Sequence, residues 1–347
     1  MDALLWLSAG AAAQSSAESI IWRPPEEAAA HGRERLKDIF WLHAPKTGSS
    51  FTLTLSIYEC GIDRVLLLLG HHCVAHFTYL GDRSQGGPYA LSPPHPGYDA
   101  SKYARWPNAT GCSPCMGSEP SRYQSNRFPL VGFGVTGSGF HSPLPQRAHP
   151  TASLTKDIGS VVAFFRPSLV LLSSAYAFVR SVGHGVPDWG IDSRRWHALF
   201  NGTREAYFHA PGVGGCQAKM LLGHACFADV ALDGEELQHA VSIVDQLAFV
   251  GLTDDWDRSL CLWHAKFGSA LHSIERLNTR PTGRSAASFD GRPADGYKVP
   301  SRSVPLDVAD NAVYARAAAR FVSDVRLHGQ AVHECLGSLR AQPPLPT

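Results

Sequence analysis

His43-Ala44-Pro45-Lys46-Thr47-Gly48-Ser49-Ser50 follows the short apolar run Ile39-Phe40-Trp41-Leu42, which predicts a buried strand running into a small-residue turn. Such a turn builds a phosphate cradle. Small residues let backbone N–H groups approach an anion, hydroxyls add donors, and Lys46 neutralises charge. The Gly-x-x-x-x-Gly-Lys-Ser/Thr spacing of a Walker A loop is absent. The plainer alternative is an ordinary strand and turn with a surface lysine.

A second segment has the same shape. Ser160-Val161-Val162-Ala163-Phe164-Phe165 reads as another buried strand, ended by Arg166-Pro167. The following Ser168-Leu169-Val170-Leu171-Leu172-Ser173-Ser174-Ala175-Tyr176-Ala177-Phe178 reads as a helix opened by proline. A guanidinium at the strand end clamps a phosphate through two donors, and a helix-borne hydroxyl adds another. The alternative is a core helix whose serines face a neighbour. Pro45-Lys46-Thr47-Gly48-Ser49-Ser50 resembles the 5′-phosphosulfate loop of sulfotransferases that use 3′-phosphoadenylyl sulfate. Arg166 and Ser174, eight residues apart, resemble that family's 3′-phosphate motif, with Tyr176 matching its aromatic position. Two departures stand out. Arg166 runs directly into Pro167, where the family commonly has Arg-Asp-Pro, and Leu171 occupies the place of a further basic residue.

The resemblance also decides how the first loop continues. Phe51, Leu53, Leu55 and Ile57 alternate like a strand, yet Phe51, Leu55 and Tyr58 share a helical face. A helix capped by Ser49 and Ser50 is expected, because cradles of this kind open one.

At 347 residues, with 44% hydrophobic and 18% charged residues, the chain suits a globular protein, and an α/β fold of this length is often one domain. A net charge of +1 gives no sign of nucleic-acid binding, so a polyanionic ligand needs a local patch. Residues 1–37 read as leader and spacer. Met1 to Ala13 has a short apolar core and small residues but no basic flank, which fits a signal segment or a truncated membrane anchor. Eight cysteines form an even set compatible with disulfides. The sequons Asn108-Ala109-Thr110 and Asn201-Gly202-Thr203 point, with the cysteines, to a secretory lumen.

The folded domain is expected over 38–335, with 336–347 as a tail. Within 81–130, 21 of 50 residues are Gly, Pro or Ser, which marks an irregular insertion that shapes an acceptor cleft. Cys112 and Cys115 lie in it; zinc would want a second close pair, so a disulfide is the expected fate. Asp233 and Glu236 form a capping box for a helix with Leu237, Val241 and Val244 on one face. Leu247 to Leu252 reads as a strand, and Thr253 as the cap of a helix striped by Trp256, Leu260, Trp263 and Phe267. Val250 to Cys261 resembles the late strand–helix unit of glycan sulfotransferases, and Gln217 to Gly223 a mid-domain helix of that group. A closing helix carries Val313, Phe321 and Val325. Alternating strands and helices predict an α/β fold, a mostly parallel sheet with helices on both faces. The resemblance, covering about 38–330, implies that this is a single P-loop-type domain.

The resemblance implies transfer of a sulfuryl group from 3′-phosphoadenylyl sulfate to a hydroxyl of a glycan or glycolipid acceptor, in the Golgi lumen. Lys46, Thr47, Gly48, Ser49 and Ser50 would hold the 5′-phosphate, and Arg166 and Ser174 the 3′-phosphate. Lys46 would also neutralise the leaving oxygen, with no metal required. Among 17 histidines, His141 in Gly139-Phe140-His141-Ser142-Pro143 is the candidate base. It lies between the two motifs, as does the catalytic histidine of uronyl 2-O-sulfotransferases; a surface-loop histidine is the alternative. His71, His72 and His76 form a rival cluster, without the Glu of His-Glu-x-x-His. Gly132 to Gly137 matches Gly-x-Gly-x-x-Gly, but Pro143 and Pro145 forbid the helix a dinucleotide site needs. The basic stretch 276–302, with Arg276, Arg280, Arg284, Arg292, Lys298 and Arg302, is either a loop over the nucleotide or a solvated segment. Two other classes remain open: a nucleotide phosphotransferase needing Mg²⁺, and a non-catalytic glycan-binding relative, for which Leu171 gives some footing.

Overall fold

The computed structural model describes residues 20–25, 40–48, 51, 54–55, 143–144, 161–182, 189–200, 203–276 and 307–342. Its strands are β1 (Ile20–Trp22), β2 (Phe40–Leu42), β3 (Val161–Phe165), β4 (Phe249–Leu252) and β5 (Leu271–His272). The second, third and fourth form a parallel sheet in the order β2-β3-β4, with Leu42 beside Ala163 and Phe165 beside Leu252. Every residue of β3 is buried, as expected for the centre of a sheet covered by helices. The strand predicted from Leu247 begins two residues later, because Leu247 is the C-terminal cap of the helix before it.

Side-by-side pairing in the sheet explains a glycine. Phe164 sits beside Gly251, where an added Cβ would lie 2.6 Å from the Phe164 ring. That absence admits the ring beside β4, where it meets Phe51, Phe249 and Trp256 at 4.6, 5.7 and 5.0 Å between ring centroids. Phe51, Thr54 and Leu55 are helical, and Phe51 and Leu55, one turn apart, are both buried. The helical reading of this stretch prevails over the alternation because Phe51 fills the space between Phe164 and Trp263.

The helices are α1 (Ser168–Val182), α2 (Ser193–Phe200), α3 (Arg204–Phe208), α4 (Cys216–Leu221), α5 (Gly234–Gln246), α6 (Trp256–Phe267), α7 (Val308–Leu327) and α8 (Gly329–Ala341). The capping box of α5 forms as its sequence predicts: Asp233 Oδ1 accepts from the Glu236 amide and Glu236 Oε2 from the Asp233 amide. Thr203 caps α3 by accepting from the Ala206 amide. Helices α6 and α7 both pack along β4. Among the described residues no helix is long and apolar enough to cross a membrane.

Three expectations need correction. Thr253 does not cap α6: it opens a 3₁₀ turn, Thr253–Asp255, and its buried hydroxyl has no hydrogen-bond partner among the described residues. The turn is secured instead by Ser259, whose Oγ accepts from the Leu252 amide and donates to the Leu252 carbonyl. The fold does not begin at Asp38, since β1 lies inside the expected spacer and pairs antiparallel with β5, burying Ile21 and Trp22. The closing helix with Val313, Phe321 and Val325 forms as α7, and a further helix, α8, follows it after His328. Nor does the folded part stop at residue 335, because Leu339 of α8 is buried.

Buried polar contacts fix the end of α6 to β5. His264 Nδ1 lies 2.8 Å from Ser269 Oγ and Nε2 2.9 Å from Glu275 Oε2, while Glu275 Oε1 accepts from the His272 amide. A disulfide, Cys261–Cys335, joins α6 to α8, and another, Cys216–Cys226, closes the segment after α4.

Candidate functional site

The carboxyl ends of β2, β3 and β4 lie side by side, and each leads into a residue group of chemical interest. In open α/β sheets this edge is where ligands bind. After β2 the chain turns sharply, because Thr47 directs both its amide and its hydroxyl at the Ala44 carbonyl, at 3.1 and 2.6 Å. Lys46 has φ 67, a left-handed conformation that is uncommon and costly for a residue with a side chain. Gly48 has φ 91, and a Cβ there would lie 2.9 Å from the Trp256 ring. The Phe51 amide donates to the Gly48 carbonyl, and Phe51 is itself helical.

Arg166 follows the last residue of β3 and reaches the loop. Its Nη1 donates to the Lys46 carbonyl at 3.0 Å, across 120 residues of sequence. The Lys46 ammonium lies 4.9 Å from the centre of the Phe178 ring on α1. Ser174 is buried on the same helix, one turn before Phe178 and on the same face. The loop, the strand-end arginine and the Ser174 face of α1 are therefore brought together. Tyr176 accepts from Arg180 Nη1 at 2.7 Å and packs its ring against Tyr207. Leu171 is 0% exposed, so a basic side chain at that place would sit in the core and offer no contact to an anion.

Behind Arg166 stands a polar network. Gln217 Oε1 accepts from the Arg166 amide and its Nε2 donates to the Arg166 carbonyl, both at 2.9 Å. Asp307 caps α7 through the Asp310 amide and also accepts from the Gly215 amide. Asp310 Oδ1 accepts from the Ala218 amide at 2.9 Å, and Ser168 Oγ meets Asn311 Oδ1 at 2.7 Å. The start of α7 thus grips α4 and α1, the elements on either side of Arg166. Burial, with the Asp307 charge beside it, raises the Asp310 carboxyl to about 7. Lys219 donates to the carbonyls of Gly212 and Ala228, and burial lowers its ammonium to about 8 against the upward pull of Asp310.

Ser49, Ser50 and His141 lie outside the described residues, as do the 81–130 insertion, Cys112, Cys115, the His71–His76 cluster, the 132–137 glycines and the basic stretch beyond Arg276. Two residues after His141 the chain is described again, and the Leu144 amide donates to Met220 of α4 at 3.0 Å. Sequence reasoning missed Gln217 and Phe178 as parts of this edge, and read Trp256 only as core. A glycine two residues after a lysine hinted at a close approach, but nothing local named Trp256 as the neighbour. Compared with known proteins, the chain matches no protein-family model, no curated protein and no solved structure.

Proposed function

We propose that this chain is a sulfotransferase with a P-loop-type domain, transferring the sulfuryl group of 3′-phosphoadenylyl sulfate to a carbohydrate hydroxyl in the secretory lumen. One observation carries the reading: two strand-end motifs, 120 residues apart, meet through the Arg166–Lys46 contact. Lys46 also has a left-handed backbone conformation, uncommon for a residue of an ordinary turn, and its carbonyl is the group that Arg166 reaches.

In this reading Lys46, Gly48, Ser49 and Ser50 hold the 5′-phosphate, while Thr47, whose donors are turned to Ala44, shapes the turn. Arg166 and Ser174 hold the 3′-phosphate. The acceptor oxygen attacks sulfur in line as the bridging sulfur–oxygen bond breaks. His141 takes the acceptor proton, and Lys46 neutralises the charge that develops on the leaving phosphate oxygen. No step requires a metal. The disulfides Cys216–Cys226 and Cys261–Cys335 support an oxidising compartment.

Calorimetry with adenosine 3′,5′-bisphosphate, beside adenosine 5′-phosphate and ATP with Mg²⁺, tests this. Charge-assisted bonds from Arg166 to the 3′-phosphate should make the bisphosphate bind ~10–100-fold tighter than the monophosphate. Equal affinities would remove the assignment of Arg166 and Ser174. Preferential binding of ATP with Mg²⁺ would favour a phosphotransferase.

A further inference from the structure

We infer that Gln217 is the positioning residue of this anion site: its side-chain amide acts as a substitute strand partner that holds the Arg166 backbone. Strand β3 ends at Phe165, whose ladder partner is Leu252, so Arg166 lies one residue beyond the sheet. Its amide and carbonyl need partners, and Pro167, having no N–H, cannot continue the ladder. Gln217 supplies one acceptor and one donor, each at 2.9 Å, to the same residue. A primary amide offers both at once from two separate atoms, whereas a hydroxyl such as that of Ser259 offers both from a single oxygen. A carboxylate lacks the donor, a thioether has no donor and accepts only weakly, and asparagine is one methylene shorter.

The clamp is itself held. Gln217 is 1% exposed and lies between two secured neighbours: Cys216, tied to Cys226, and Ala218, whose amide donates to Asp310. With its backbone fixed, Arg166 extends its guanidinium to the Lys46 carbonyl. Gln217 thereby sets where the arginine of one motif stands relative to the loop of the other, without touching the loop in any contact described above. The inference rests on the sulfotransferase reading only for the identity of the anion.

The test is Gln217→Met, close in shape and without either hydrogen bond. Affinities for adenosine 3′,5′-bisphosphate and adenosine 5′-phosphate are measured, and hydrogen exchange is followed at the Arg166 amide. The variant should lose ~10-fold of the preference for the 3′-phosphate, keep its affinity for the monophosphate, and exchange the Arg166 proton faster. A general weakening of the fold would not move one affinity alone. A folded variant that keeps the full preference and the wild-type protection overturns the role. If wild-type protein ignores the 3′-phosphate, the nucleotide reading falls, and the exchange measurement alone decides the clamp. Should Gln217→Met not fold, Gln217→Asn keeps the amide and withdraws it by one methylene from the Arg166 backbone. It should lose part of the preference, and an unchanged preference would again overturn the role.

Discussion

Gly48 joins two constraints that are separable by experiment. Its φ of 91 disfavours any side chain, and the Trp256 ring stands 2.9 Å from where a Cβ would be. Gly48→Ala should lower stability by about 1–3 kcal/mol and weaken binding of adenosine 3′,5′-bisphosphate, because the loop must move to admit the methyl group. Trp256→Leu removes packing against Phe164, so the steric share is read from a cycle: Gly48→Ala should cost less in a Trp256→Leu chain than in the wild type, and the backbone share should remain. Thermal melts of the two single variants and the double variant check this, and an equal cost in both backgrounds would show that the ring is not the obstacle. Lys46 and Arg166 were legible in the sequence, since each ends an apolar run in a turn. Gln217 was not, because nothing within a few residues of it reveals that its amide serves a backbone 51 residues away.

Helix α7 meets α4 through a carboxyl that titrates in an unusual range. Asp310 is raised to about 7 by burial and by Asp307, against the hydrogen bonds it receives from Ala218 and Gln217. An ordinary aspartate titrates near ~3.9, so between about pH 4 and 7 the folded chain binds more protons at this site than the unfolded one. The contribution therefore favours folding at low pH and is lost as pH rises through 7. Asp310→Asn keeps an acceptor for the Ala218 amide and removes the charge. The wild-type midpoint of unfolding should fall from pH 5 to pH 7.5, and this fall should be smaller in the variant. Lys219, lowered to about 8 by burial, stays charged over most of that window. Equal slopes for the two proteins would mean that Asp310 does not titrate there. The capping box of α5 shows what was readable at this level, while the failure of Thr253 to cap α6 shows the limit. Ser259 took over the turn from within the helix, a competition that spacing alone did not decide.

The molecule is closed by a covalent tie late in the chain. Cys261–Cys335 spans 74 residues and fastens α8 to α6. A loop of that length corresponds to ~4 kcal/mol of stabilisation on the chain-entropy account. Cys261→Ser with Cys335→Ser should lower the midpoint of unfolding by well over the scatter of a melt. Peptide mapping of the unmodified protein under non-reducing conditions should recover Cys216 with Cys226 and Cys261 with Cys335. An undisturbed melt of the double variant would show that helix packing, rather than the disulfide, holds α8. β1 belongs to the same order of organisation. Its three residues have little reason to be a strand until β5 offers an edge, and the His264–Glu275–His272 contacts hold β5 in place.

Local chemistry determined what could be read without coordinates: the apolar runs that became β2 and β3, the turn that ends one and the arginine that ends the other, the helix after β3, and the capping box of α5. These depend on side chains within a few residues of one another, where periodicity and backbone preference decide. Tertiary structure alone decided the pairing of cysteines, the recruitment of Ile20–Trp22 into a sheet, the burial of Leu171 and the clamp of Gln217 on Arg166. Each of these joins groups distant in sequence. Their cost is chain entropy and desolvation, and their return comes only when the whole core closes around them.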